Sequence, residues 1–305
     1  MTLSLQDLPA DGRPDKIPIN ASGLKIAACH RRWFLTVVLG LKPKTEDPIL
    51  TVGKIIHKFA EDLAFNRSPE NSMRAMTDAL KAAREKHLPA KEATQIKEAV
   101  SSLNPQDLPK PIALSHCQGA EYKFEFPIDT APGFVFAGTI DVLSHDERRN
   151  LIVITDYKTS RKYLFKEVIA GYEGDTQFTF YPWIVNRHAY EIFKDDINLG
   201  NLAWYRKLVM RPLAILLSAK PVTWRLGPET GFTEENFKIF STMLYAFIEQ
   251  VRRYVEDDIL PPPTGMINNA CPACPFKKLC FAQNKDQVDL FLSETAVVKY
   301  EPLAW

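Results

Sequence analysis

The chain has 305 residues, 46% of them hydrophobic and 25% charged, with a net charge of +1. That length can carry one large domain or two smaller ones, and the composition is that of an ordinary globular protein. A near-neutral balance excludes nucleic-acid binding through bulk charge, so any such binding must come from local basic patches. The N-terminus, MTLSLQDLPADGRPDK, has no basic stretch followed by an apolar one. No secretory signal is therefore expected, and the expected location is the cytoplasm. The longest apolar run, Trp33–Leu41, is too short to span a bilayer.

In chain order, residues 1–19 are rich in Pro and Asp and are expected to be loosely ordered. Ser22 is placed to cap a helix through LKIAACHRRWFLTVVLG, ended by Gly40 and Pro43. Cys29 falls inside it, followed by His30, Arg31 and Arg32; a helical cysteine is ordinarily a small buried hydrophobe. Gly53–Leu63 opens another helix, with Ile56, Ala60 and Leu63 on a core face and His57 and Glu61 sharing a second face. Residues 67–104 predict two charged, Ala-rich helices, Pro69–His87 and about Pro89–Leu103, read as a lid or inserted subdomain. Asn104–Pro111 links back, and Glu121–Ile128 alternates as a strand.

The chemistry-bearing stretch follows. Phe134–Leu143 and Leu151–Tyr157 are rich in β-branched and aromatic residues, and the polar run Ser144–Asn150 separates them, so they read as a buried hairpin. With the turn tip at Arg148-Arg149, Asp141 falls opposite Asp156, and Lys158 points to the same face as Asp156. A slip of one residue would put the two aspartates on opposite sides of the sheet. Two carboxylates about 4 Å apart repel by about 4 kcal/mol at an effective dielectric of about 20. Such a pair either shares a proton or holds a cation, and hard oxygen ligands suit Mg²⁺ or Mn²⁺. His57 becomes a candidate ligand because this hairpin needs further donors.

After Lys158, Arg161, Lys162 and Lys166 form either a solvated loop or a phosphate-tracking patch. Asp175–Lys194 reads as a helix with Gln177 and Tyr181 on one face, but Pro182 removes one backbone bond from it, and if the helix instead begins at Pro182, Gln177 and Tyr181 precede it. Leu202–Lys207 and Val222–Leu226 read as strands, and Phe232–Asp258 as a long amphipathic helix. PPPTG then leads into Cys271, Cys274 and Cys280, a C-x2-C-x5-C arrangement. Three thiolates so close can share one centre and leave one position open, for tetrahedral zinc or for an iron–sulfur cluster. Cys29 and Cys117 are the only other cysteines, and His30 could also complete a zinc site. No Walker A sequence is present, so the chain carries no helicase motor of its own.

Taken together, these features resemble the RecB-like branch of the PD-(D/E)XK nuclease superfamily, and within it the iron–sulfur members: the CRISPR-associated exonucleases and AddB-type nuclease domains. The resemblance rests on Ser22, Leu24, Cys29, Arg31 and Trp33; on Gly53 and His57 as G-x3-H; on Gly138–Asp141 and Asp156–Thr159; on Gln177 and Tyr181 as Q-x3-Y; and on the cysteine tail. Ile140 stands where the superfamily name puts proline, and Asp156 where glutamate is more frequent.

The resemblance implies an α/β, restriction-endonuclease-like fold: a mixed central sheet flanked by helices, a helical N-terminal region and a C-terminal cysteine segment. The expected division is an N-terminal region at 1–66, a helical insertion or lid at 67–111, a nuclease core at 112–260 and an iron–sulfur segment at 261–305. It implies His57, Asp141, Asp156 and the Tyr157 backbone carbonyl as ligands of Mg²⁺ or Mn²⁺, and Lys158 beside them in catalysis. Gln177 and Tyr181 would bind substrate, and Cys29, Cys271, Cys274 and Cys280 would hold a [4Fe–4S] cluster. The implied partner is DNA, with CRISPR-adaptation or recombination proteins as further partners and no membrane. The implied activity is exonucleolytic, with an endonuclease, a flap nuclease or a non-hydrolytic DNA-binding scaffold as alternatives.

Overall fold

The computed structural model describes residues 8, 14–43, 48–65, 68–114, 121–162, 164–173, 175–193, 204–266, 271–272 and 274–297. Cys117 lies outside them. The first element is strand β1 (Ile17–Ile19), so this part of the N-terminal segment is ordered by pairing rather than loose. Helix α1 (Ala21–Ile26) is capped by Asn20, whose Oδ1 accepts from the Gly23 N–H at 2.6 Å; Ser22 lies inside the helix instead of capping it. The expected single helix breaks after α1 and restarts as α2 (His30–Trp33), which continues into one π-helical turn (Phe34–Val38). Cys29 sits in the break, at the cap of α2, with an extended backbone (φ −119°, ψ 103°) rather than a helical one.

Strand β2 (Leu41–Pro43) is followed by helices α3 (Pro48–Phe65), α4 (Pro69–Glu85) and α5 (Ala90–Ser102). Four strands come next: β3 (Tyr122–Pro127), β4 (Phe134–Ile140), β5 (Val142–Asp146) and β6 (Leu151–Ser160). The first hairpin arm is thus two strands, parted by a bend at Asp141; β4 pairs with β1 and β3, whereas β5 pairs with β6. The β5–β6 ladder sets Val142 opposite Thr155 and Leu143 opposite Ile154. This is the register that a tip at Arg148-Arg149 requires, and it puts Asp141 beside Asp156.

Helices α6 (Phe165–Glu173), α7 (Gln177–Arg187) and α8 (Ala189–Phe193) cross over to strand β7 (Leu208–Leu216), which runs parallel to β6. The helix expected over Asp175–Lys194 is divided at His188, and Lys194 lies outside the described residues. Pro182 is tolerated inside α7, one turn and a half from its start. The strand expected at Leu202–Lys207 is, where described, a 3-10 turn (Trp204–Lys207), and the strand begins immediately after it. Pro212 argues against a central strand in the sequence, yet it sits in β7 directly opposite Asp156. Its carbonyl accepts from the Gly227 N–H at 2.7 Å, just past the end of strand β8 (Thr223–Leu226). Strand β9 (Thr230–Gly231) then pairs with the start of β7. The remaining elements are α9 (Glu234–Glu256), α10 (Lys277–Cys280), α11 (Lys285–Glu294) and β10 (Thr295–Val297), which pairs with β2.

The chain divides into two units. One comprises Met1–Thr45, Lys123–Gly138 and Ile239–Trp305; the other comprises Glu46–Tyr122 and Thr139–Lys238. The second unit holds the sheet β5-β6-β7-β8. Its core joins Val52, Ile56, Phe59 and Leu63 of α3 to Val142, Tyr157, Leu213 and Ile215 of the sheet. The helices read as a lid feed the same core through Ala75, Ala79, Ala83, Ile96, Ala99 and Val100. On the other face, Val168 and Phe165 of α6 pack on Ala214 and Leu216. The result is a mixed sheet with helices on both faces, the architecture expected. Among the described residues no helix is long and apolar enough to cross a membrane.

Candidate active site

Alternation along β6 sorts its side chains between the two helical layers. Tyr157 and Thr159 face α3, and Asp156 and Lys158 face α6 and α7. Asp156 is 3% exposed and Tyr157 is 1% exposed, so this stretch of the strand is interior. The Lys158 ammonium stands 2.7 Å from Asp156 Oδ2 and donates to Gln177 Oε1 at 2.5 Å. Asp141, at the bend, turns back across the ladder, and its Oδ2 accepts from the Tyr157 N–H at 2.6 Å. Gln177 donates through Nε2 to the Tyr181 hydroxyl at 3.2 Å, and its own N–H is held by Asp175 Oδ1 at 2.9 Å. The start of α7 is thus fixed by a local turn, and the Q-x3-Y pair lies one helical turn apart beside Lys158 in spite of Pro182.

Electrostatics follow from burial. Asp141 is pushed well above the usual carboxylate range by burial and by the Asp156 charge, against the Tyr157 N–H that favours ionisation. Burial works against charge on Lys158, but the Asp156 carboxylate outweighs it and holds the ammonium above its ordinary value. The hydroxyls of Tyr172 and Tyr181 are pushed up by burial and by the Asp156 charge, and stay protonated.

His57 approaches from α3, its ring edge-on to Tyr157 with centroids 5.8 Å apart. Burial depresses it to about 4, so it is a neutral imidazole at neutral pH. Its buried Nε2 has no hydrogen-bond partner among the described residues. Gly53 explains how the helix comes so near. A Cβ there would lie 2.9 Å from Thr159 Oγ1, so a side chain would hold the helix away from β6, one turn before His57. In sum, the structure brings Asp141, Asp156, Lys158, Gln177 and Tyr181 to one cluster, with His57 reaching the same strand from the opposite helical layer. Of the basic residues after Lys158, Arg161 is paired with Glu92 at 3.0 Å and Lys162 donates to the Glu167 carbonyl at 2.9 Å. Lys166 is exposed.

The other unit holds Cys29, Cys271, Cys274 and Cys280, all as free thiols. Burial, together with neighbouring thiol charge, pushes Cys280 up to about 11 and raises Cys274. Cys29 and Cys271 act on Cys274, and Cys29 and Cys274 act on Cys280. Arg31 opposes this at Cys280; it is buried and donates through Nε to the Pro261 carbonyl at 2.7 Å. Thr264 ties the same loop to the helix break, accepting from the His30 N–H at 3.2 Å and donating to the Ala28 carbonyl at 3.2 Å. Gly265 is the floor of this corner. A Cβ on it would lie 3.2 Å from Cys29 Sγ and 3.3 Å from Cys271 Sγ.

Among the described residues no group of three or more His, Cys, Asp or Glu side chains is arranged to hold a metal ion as it stands. Both sites nevertheless have the chemistry to take one. In the first, His57 Nε2 is buried without a hydrogen-bond partner among the described residues, Asp156 Oδ2 is buried against the Lys158 ammonium, and a cation would favour the ionised form of Asp141 against the burial that raises it. In the second, four thiols share electrostatic surroundings in which several thiolates would need a cationic centre, and Gly265 leaves space that a methyl group would fill.

Sequence reasoning missed Tyr172, Asp175 and Gly265. Tyr172 carries no motif, and only its i,i+4 spacing from Val168 hints at an inward face. No curated protein matches the sequence. Seven solved chains match the fold. One is a crystal structure described as "Putative exonuclease" from Eubacterium rectale, 13% identical, with a TM-score of 0.52, covering 90% of this chain and 94% of that one. A family model, the PD-(D/E)XK nuclease superfamily, matches residues 22–281. That span takes in the helix break at Cys29, both aspartates with their lysine, the Q-x3-Y turn and the three clustered cysteines. The chain belongs to the PD-(D/E)XK nuclease superfamily.

Proposed function

We propose that this protein is a DNA exonuclease that uses Mg²⁺ or Mn²⁺ at the Asp141–Asp156–Lys158 cluster and carries a [4Fe–4S] cluster on Cys29, Cys271, Cys274 and Cys280. The observation that carries the reading is the pairing across β5 and β6 that sets Asp141 beside Asp156, with Lys158 at 2.7 Å. His57, Asp141, Asp156 and the Tyr157 carbonyl are the residues that would hold the divalent ion. A bound divalent cation lowers the pKa of its water and offsets charge on a phosphodiester.

The chain's own groups do the rest. The Tyr157 N–H keeps the Asp141 carboxylate turned toward Asp156. Lys158, held cationic by Asp156, supplies positive charge in a water-poor setting, where it counts for more than at the surface. Gln177 holds the ammonium from its other side and is itself braced by Asp175. Gln177, bonded to Lys158, and Tyr181, bonded to Gln177, would contact a nucleic-acid strand. The cysteine site plays no part in hydrolysis; its centre braces the unit that holds it.

The test is cleavage of end-labelled single- and double-stranded DNA by the purified protein with Mn²⁺. Lys158→Ala is expected to lower the rate by at least about 100-fold while the fold and the brown colour of the cluster remain. Equal cleavage by wild type and Lys158→Ala would remove the assignment. Internal cuts without end-dependence would favour an endonuclease, and binding without cleavage by the wild type would favour a scaffold.

A further inference from the structure

Tyr172, on α6, is 4% exposed and belongs to none of the motifs above. Its ring lies under the Lys158 ammonium, 5.7 Å from Nζ to the centroid, and is itself fixed edge-on by Phe178 at 4.9 Å. Its hydroxyl is buried with no well-aligned hydrogen bond among the described residues, and among the carboxylates Asp156 acts on it most strongly, ahead of Asp141 and Asp175. The Tyr172 carbonyl accepts from the Asp175 N–H at 2.9 Å, and Asp175 in turn holds the Gln177 N–H. Tyr172 and Gln177 are therefore tied to one another through Asp175.

Lys158 thus has three holders: a carboxylate, an amide oxygen and an aromatic face. In the nuclease reading, on which this inference rests, Asp156 also serves a divalent cation. A carboxylate that shares its charge with such a cation attracts an ammonium less strongly. The two remaining holders are neutral, so they retain the ammonium without cancelling its charge. We propose that Tyr172 is a positioning residue: its ring keeps Lys158 in place when Asp156 engages the metal, and its hydroxyl is reserved for the Asp156 carboxylate.

The test uses the full chain with Mn²⁺ and end-labelled DNA, comparing Tyr172→Phe, which keeps the ring, with Tyr172→Leu, which removes it. Tyr172→Leu is expected to lower kcat about tenfold, with KM changed by less than about threefold, and Tyr172→Phe to restore kcat. Calorimetric titration of the DNA-free protein with Mn²⁺ is expected to show weaker binding for both variants, because both lack the hydroxyl. If Tyr172→Phe is as slow as Tyr172→Leu, or if Tyr172→Leu keeps the wild-type kcat, the ring does not position Lys158. Unchanged Mn²⁺ affinity in both variants overturns the role of the hydroxyl. Should Tyr172→Leu melt before it can be assayed, Tyr172→Met, which fills the space without an aromatic face, takes its place. A wild-type protein that cleaves no DNA defeats the nuclease reading instead, and the calorimetry still decides whether Tyr172 serves Asp156.

Discussion

The two candidate sites solve the same problem in opposite ways. The carboxylate site is assembled from a hairpin, one helical turn and one inter-helix turn, and most of its polar atoms already hold one another: Tyr157 N–H on Asp141, Lys158 on Asp156 and Gln177, Asp175 on Gln177. The cysteine site joins residues far apart in sequence: Cys29 at a helix break, Cys271 at a bend, Cys274 in irregular backbone and Cys280 at the end of a single helical turn. Burial and neighbouring sulfurs disfavour ionisation there, countered at Cys274 by the Phe276 N–H and Arg32 and at Cys280 by Arg31. One site is organised by its own hydrogen bonds and backed by a core strand. The other has little regular structure of its own and needs a cross-link to be organised. On the reading proposed above, a metal is an addition to the first site and a structural member of the second.

The sharpest way to break that comparison is to exchange the readouts. Lys158→Ala should remove cleavage and leave folding nearly intact. Cys280→Ala should do the reverse: pale protein with a melting temperature lower on the order of 10 °C, and residual cleavage by whatever fraction stays folded. A Cys280→Ala protein with wild-type colour and melting would show that the cysteine corner needs no centre.

A smaller effect is read from pH. Folded His57 refuses a proton down to about 4, whereas the unfolded chain accepts one near 6.5. Stability contributed by this difference is present above 6.5 and is lost as the pH falls from there through about 4, a total of about 3 kcal/mol. His57→Gln should flatten that part of the metal-free stability curve, measured by urea unfolding. Superimposable acid limbs for the two proteins would mean that His57 is not buried as described.

The smallest effects come from the two glycines that allow close approach. Gly265→Ala would press a methyl group on two cysteine sulfurs and should lower iron content. Gly53→Ala would press on Thr159 and should lower cleavage through His57. Each is expected to destabilise by about 1–2 kcal/mol. If either substitution moved the other site's readout, the sites would be less independent than they look.

Legibility in the sequence followed how local each feature is. The β5–β6 register could be read because a short polar turn between two apolar runs leaves few ways to pair them, and that alone placed Asp141 by Asp156. The Q-x3-Y pair could be read because a one-turn spacing survives even a helix that contains Pro182. The bend at Asp141 was hidden: Phe134–Leu143 has strand composition throughout, and nothing local says that its halves pair with different strands. β7 was not read from the sequence, which placed a strand at Leu202–Lys207 instead; Pro212 argues against a central strand, a warning that holds only when the missing N–H lies on a side that needs it. Asn20 outranked Ser22 as a cap because β1 ends at Ile19 and α1 begins at Ala21, which leaves Asn20 extended between them. Tyr172 could not be found from sequence, since its meaning depends on a strand before it and a helix after it folding onto one another.

Pro212 has one further effect. Its carbonyl bonds to Gly227, but it has no N–H to return, so the antiparallel pairing with β8 stops there, and β9 resumes it only at Met210. The outermost strand is left four residues long and interrupted at the level of Asp156. A long, flat border would invite a neighbouring copy to add its own strand and grow into an aggregate, whereas a short and broken one gives such a copy little to grip. The residue that obscures the strand in the sequence thereby leaves this border of the sheet short.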